Sequence, residues 1–264
     1  MRLSLITLFS IVFLFFGNAQ DLEVGLFGGG SYYLGDLNPS IHFQGTRIAY
    51  GVLARYNFDD RWAVKLSGYR GKIVGNSADS WFLPDRNIQF SSPVTDISAV
   101  AEFNFLPYFT GSKRNFITPY VYAGIGMFFF KPSSEGTELQ PLGTEGQQAG
   151  YEGRKPYSLI SLNIPFGLGV KYGVSRRIGI TAFWELHKTF SDYLDDASKT
   201  YYLDGPAIDR NDPQQYLSDP TLSHKPGMQR GNSRNQDWYS FFGVTITYKF
   251  ALDGGKKCRD VYNN

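Results

Sequence analysis

The residues able to do chemistry in this chain of 264 are few and scattered. Histidines stand at His42, His187 and His224, and the single thiol is Cys258. No HExxH, CxxC or close His/Cys cluster gives zinc-ligand spacing, so no metal site is expected. Asp192, Asp195 and Asp196 gather carboxylates but lack EF-hand spacing, and they read as a solvated acidic turn. His187 with Thr189 or Ser191 is the one pair suited to a lipid-modifying nucleophile. An orienting acid and an oxyanion hole are not recognisable, so no catalytic residue is expected. The run Gly28-Gly29-Gly30 precedes neither GK[ST] nor a helix, so it is no phosphate loop. Glycines inside a strand more often admit bending or the close approach of another backbone. No cofactor and no small-molecule substrate are implied.

The elements that must carry these residues are strands. Aromatics make up 17% of the chain and Gly contributes 29 residues, while only 19% of positions are charged. Strands favour aromatic and β-branched residues. A formal net charge of +2 gives no reason to expect nucleic-acid binding. Mean hydropathy of −0.27 excludes a polytopic helical membrane protein. It does not exclude a membrane barrel, whose strands average an apolar and a polar face.

Met1-Arg2, the apolar run Leu5 to Phe16 and the small residues Gly17-Asn18-Ala19 read as a cleaved signal peptide over residues 1–19. No Cys follows the apolar run, which closes the lipoprotein route. Beyond Asp21, period-two hydrophobicity recurs in eight segments. The second sets Ile48, Tyr50, Val52, Ala54 and Tyr56 against Arg47, Ala49, Gly51, Leu53 and Arg55. Strands at Leu22–Leu34, Arg61–Ser67, Asp96–Phe105, Tyr120–Phe129, Leu162–Lys171, Ile178–His187 and Trp238–Phe250 alternate likewise. Connections after the even strands are short, including Asp59-Asp60, Leu106–Asn115 and Gly173–Ser175. Those after the odd strands are longer, including Lys131–Tyr157 and Ser191–Gln236. Short turns at one end and long loops at the other are the layout of an outer-membrane barrel.

The expected fold is therefore all-β: an eight-stranded antiparallel transmembrane β-barrel of the outer membrane over residues 20–250. A periplasmic tail over 251–264 follows. Tyr56, Trp62, Phe105, Trp184, Tyr248 and Phe250 suit interfacial girdles in contact with outer-membrane lipids. The polar face carries Arg47, Arg55, Lys65, Asp96, Glu102, Lys171 and Glu185 among many glycines. An eight-stranded barrel is just filled by its side chains, so these charges, with Glu23, are expected to pair inside a small-residue lumen. A pore is not expected.

The opening Glu23–Asn38 carries a specific pattern, Gly-Gly-x-x-Tyr-x-Gly-Asp, at Gly29, Gly30, Tyr33, Gly35 and Asp36. It resembles the first strand and loop of the PorG family, outer-membrane barrel components of the type IX secretion system. The rest of the plan resembles that family more loosely, and the long loops do not. The resemblance implies a non-catalytic role in protein export, beside the motility machinery in gliding bacteria. The implied partners are a periplasmic ring lipoprotein (PorK-like) and its companion (PorN-like). The basic tail, with Lys256, Lys257, Cys258 and Arg259, and the turn Leu106–Asn115 are the expected docking surface. Cys258 is either a free thiol or a link to another chain. A stand-alone structural or adhesion barrel of the OmpA/OmpW kind is the alternative, with a lipid-modifying barrel enzyme behind it.

Overall fold

The computed structural model describes residues 21–79 and 84–251. The expected signal peptide, and the tail positions Lys256, Lys257, Cys258 and Arg259, lie outside the described residues. Eight long strands form the wall: β1 (Asp21–Leu34), β2 (Arg47–Asn57), β3 (Trp62–Asn76), β4 (Gln89–Asn104), β5 (Ile117–Phe130), β8 (Ile160–Gly173), β9 (Ile178–Thr189) and β10 (Trp238–Ala251). Between β5 and β8, the two-residue strands β6 (Ser133–Ser134) and β7 (Thr137–Glu138) make a small hairpin. Each wall strand pairs antiparallel with its sequence neighbour. The first then pairs with the last, from Asp21↔Ala251 to Leu34↔Trp238, and the barrel closes. Closure leaves no strand edge unpaired, which a chain needs where no water can satisfy backbone groups.

The alternation read from the sequence sorts the faces correctly. Ile48, Ile125 and Leu26 stand 83%, 74% and 68% exposed on the outer wall, while Glu102, Lys171 and Glu185 are wholly buried inside. An apolar belt outside a polar interior is the transmembrane arrangement. Among the described residues no helix is long and apolar enough to cross a membrane; the strands cross.

Three features depart from expectation. The third and fourth strands run well beyond Ser67 and Asp96, as a raised hairpin that pairs up to Asn76↔Gln89. Gly71, Gly75 and Pro93 obscure the alternation there. The lumen is also far more aromatic than expected. Tyr69, Tyr120 and Tyr122 lie inside, over glycines: a Cβ at Gly51 would stand 2.6 Å from the Tyr69 ring, and one at Gly169 2.7 Å from that of Tyr120. Glycine on one strand makes room for a ring from the next, so the small residues and the aromatics share one layer. Finally, Arg47 is exposed at the barrel rim rather than paired in the lumen.

Candidate functional site

The lumen is packed in layers from the short-loop end upward. Arg55 holds Glu23 at 2.9 Å and Glu102 at 2.7 Å, and Lys171 reaches Glu102 at 2.7 Å. Above them Lys65 pairs with Glu185 at 3.1 Å and lies 4.6 Å from the Tyr122 ring centre. Phe27, Tyr69, Phe183 and Phe241 then pack together. The expected pairing of inward charges is present, and Glu23, Asp96, Glu102 and Glu185 are all buried.

His187 faces into this lumen. Its ring stacks on Tyr239 at 4.5 Å, with Glu185 at 3.0 Å and Asp96 at 3.5 Å. Thr189 hydroxyl donates to the carbonyls of Ser191 and Asp237 rather than to His187. The Ser191 hydroxyl accepts from the Tyr193 amide, so among the described residues neither hydroxyl is hydrogen-bonded to His187. His42 packs on the outer wall, with its ring 5.4 Å from Trp184 and Nδ1 2.9 Å from the Tyr32 hydroxyl. The β1–β2 connection thus folds down over Trp184, which is not an open girdle residue. His224 stacks on Tyr201 at 4.1 Å and meets Asp219 at 2.8 Å. Among the described residues no group of His, Cys, Asp and Glu is disposed to hold a metal ion.

The long loops form an ordered cap, and the opening motif is its knot. Gly29 lies at the closing seam, where a Cβ would stand 2.0 Å from the Phe242 carbonyl oxygen. A Cβ at Gly30 would strike the Phe242 ring and Thr46, each at 2.7 Å. Tyr33 donates its hydroxyl proton towards Asp195 at 2.5 Å and Asp237 at 2.9 Å. Gly35 sits so tightly beneath this arrangement that a Cβ would lie 2.0 Å from Asp237 Oδ1. Asp36 accepts from the Asn232 amide at 2.5 Å, and its carbonyl accepts from Arg86 at 2.8 Å. One short motif thereby joins the β1 exit to both ends of the β9–β10 loop.

Around this knot the loops satisfy one another. Arg230 donates to the carbonyls of Asp196 and Ser218 and lies 3.4 Å from Glu145. Glu145 accepts from the amides of Ser198 and Lys199 at 2.8 and 2.9 Å. Asp195 and Asp196 are buried, not a solvated turn. Burial, with the charge of Asp36 beside it, pushes the Asp195 carboxyl up to about 8. Burial and Asp195 bring Asp192 to about 8 as well. Asp237 is raised as well, by burial and then by Asp195 and Asp192. Asp196 rises only to about 6: burial lifts it, and Arg230 pulls it back. Only the aspartate spacing hinted at this cluster in the sequence; its burial depends on partners more than a hundred residues away.

The short-loop end is closed from below. In the connection Leu106–Asn115, Tyr108 and Thr110 turn inward, and Thr110 donates to Glu23 at 2.6 Å. The tip is left outside. Lys113 and Arg114 are exposed there, and Arg176 and Arg177 are exposed on the neighbouring turn. The turns touch: a Cβ at Gly111 would stand 2.6 Å from the Arg176 carbonyl oxygen.

A closed eight-stranded barrel with an apolar belt, a filled lumen and a knotted loop cap is a transmembrane barrel of the outer-membrane type. The chain matches the family described as a domain of unknown function, DUF6089, over residues 2–202, and belongs to it. No curated protein matches it. Among solved structures it is similar to Neisserial surface protein A, at 12% identity and a TM-score of 0.45, over 88% of this chain and 97% of that one. It is similar to Ail, the attachment invasion locus protein of Yersinia pestis, at 12% identity and a TM-score of 0.44, over 88% of this chain and 100% of that one. It is also similar to the N-terminal barrel domain of Pseudomonas aeruginosa OprF, at 13% identity and a TM-score of 0.39, over 89% of this chain and 99% of that one.

Proposed function

We propose that this protein is an outer-membrane subunit of a type IX secretion apparatus that docks a periplasmic ring of PorK- and PorN-like proteins, without catalytic activity. The observation that carries the reading is the Gly29-Gly30-x-x-Tyr33-x-Gly35-Asp36 opening, on which the resemblance to PorG-like barrels rests. In this reading the short-loop end and both barrel termini face the periplasm and the cap faces outward, as in outer-membrane barrels generally. The filled lumen supports a scaffold role over transport through the barrel. The exposed cations of the two touching turns, Lys113, Arg114, Arg176 and Arg177, lie at the end from which the basic tail continues. A basic face of this kind fits an acidic protein surface and speeds encounter with it.

The test is a mild-detergent pull-down from outer membranes with the recovered proteins identified by mass spectrometry. Two variants accompany the native chain: deletion of residues 253–264, and combined Lys113→Glu, Arg114→Glu, Arg176→Glu and Arg177→Glu. Recovery of the ring lipoprotein with the native chain, and its loss in one or both variants together with export, is the expected result. Undiminished ring recovery and export in both variants would overturn docking at this face. The stand-alone adhesion reading predicts instead that only trimming of the long loops has an effect.

A further inference from the structure

Beside the knot, the long-loop end holds a groove of about 390 Å³ between the β1–β2 connection, the raised β3–β4 hairpin and the β6–β7 hairpin. That volume falls within the ~300–1,000 Å³ of small-ligand sites. Glycines at two positions let its walls pack closely. A Cβ at Gly75 would stand 2.6 Å from the Phe90 ring, and Gly45, at φ 63°, would bring one 2.8 Å from Val74. The accessible apolar lining is the half-buried Val74, with Leu37 and Phe90 buried behind the groove. The more open lining is polar and mostly planar: the amides of Asn76 and Gln89, the Glu135 carboxylate and the Arg47 guanidinium. Ser91 and Ser133 add hydroxyls.

The charges of Arg47 and Glu135 cancel across the groove. Arg47 forms no ion pair among the described residues, and its guanidinium reaches only the Thr46 carbonyl at 3.4 Å. Glu135 accepts a single long bond, from Gln89 at 3.5 Å. Both therefore keep hydrogen-bonding capacity for an incoming molecule. An anion would meet Glu135, a cation would meet Arg47, and a purely apolar molecule would strip both of water without replacing their bonds.

We propose that this groove binds a neutral saccharide. Adjacent sugar hydroxyls both donate and accept, so they can satisfy a guanidinium, a carboxylate and two amides together, while the C–H face of the ring rests on the Val74 side chain. The sugar comes either from a soluble oligosaccharide or from the headgroup of a membrane glycolipid, since the groove lies at the rim of the barrel wall.

The test uses the full-length protein in an amine-oxide detergent, which carries no sugar. It is titrated calorimetrically with maltohexaose, mannotriose and N-acetylglucosamine trimer. In parallel, the protein in phosphatidylcholine vesicles is compared with and without digalactosyldiacylglycerol. Saturable binding of at least one neutral probe is expected, weakened at least tenfold by Arg47→Ala and by Glu135→Ala. Both are surface changes, and heat-modifiable gel migration checks that each variant keeps its barrel. Binding of a free oligosaccharide supports a soluble source, and binding of the galactolipid alone supports a membrane source. Failure of every neutral probe, selective binding of polygalacturonate, or equal binding in both variants would overturn the proposal. Because neither ring recovery nor export is read, that failure leaves the docking proposal standing.

Discussion

Arg55 reaches from β2 to Glu23 on β1 and Glu102 on β4, and all three side chains are buried. Replacing a buried ion pair with apolar groups can be neutral, but removing one partner leaves the other charges unpaired and costs about 3–5 kcal/mol. Arg55→Met leaves Glu23 with no ion-pair partner among the described residues and Glu102 with Lys171 alone. We expect that variant to lose stability in this range in urea unfolding from lipid vesicles, whereas Lys131→Met, at an exposed pair with Glu138, changes little. A loss below about 1 kcal/mol for Arg55→Met would mean that water reaches this layer. Residue types and facing are readable from alternation here, so Arg55, Glu23 and Glu102 were assignable to the interior. Their pairing was not, because it depends on which strands become neighbours when the barrel closes.

The β9–β10 loop is the element in which protonation and structure are coupled. Asp192 and Asp195 have carboxyls raised to about 8, against an ordinary ~3.9 in an unfolded loop. Facing them are Asp36, Asp237 and Tyr33 from the knot, Glu145 from the β5–β8 loop, and the cations Arg86 and Arg230. The folded cap binds more protons than the open one. Its stability is therefore full below about pH 4 and falls as pH rises through about 8. Amide exchange over residues 192–198, corrected for the intrinsic rate, should be faster at pH 8.5 than at pH 5.5. Asp195→Asn should flatten that dependence by removing one titrating group. Exchange that is independent of pH in the native chain would show that the cluster does not govern the cap. The sequence marks these aspartates only as an acidic stretch. Loops lack a repeating face, so nothing local reveals that they are covered.

For the whole molecule, the ion-paired layers, the aromatic layer and the inward turn at Tyr108 and Thr110 fill the lumen with side chains. Vesicles containing the protein should swell in isosmotic glucose no faster than protein-free vesicles. Swelling at the rate of a porin control would show that the plug opens. A barrel with a filled lumen presents two surfaces for work, the basic short-loop face and the cap with its groove. The ring-docking and saccharide proposals each use one of them.

By itself the sequence determined the β class, the strand number, the two faces of the wall and the unequal ends. These follow from period-two alternation and connection length, which are local properties that survive without knowledge of neighbours. It also marked Gly29, Gly30, Tyr33, Gly35 and Asp36 as a unit, without revealing why those residue types are needed. Only the tertiary structure decided that Gly29 lies at the closing seam and that Tyr33 binds aspartates far along the chain. It alone moved Arg47 from the lumen to an open groove and filled the lumen with tyrosines over glycines. The physical reason is common to all of these. Burial and hydrogen-bond partnership are set by barrel closure and loop packing, which join residues that no local pattern places together.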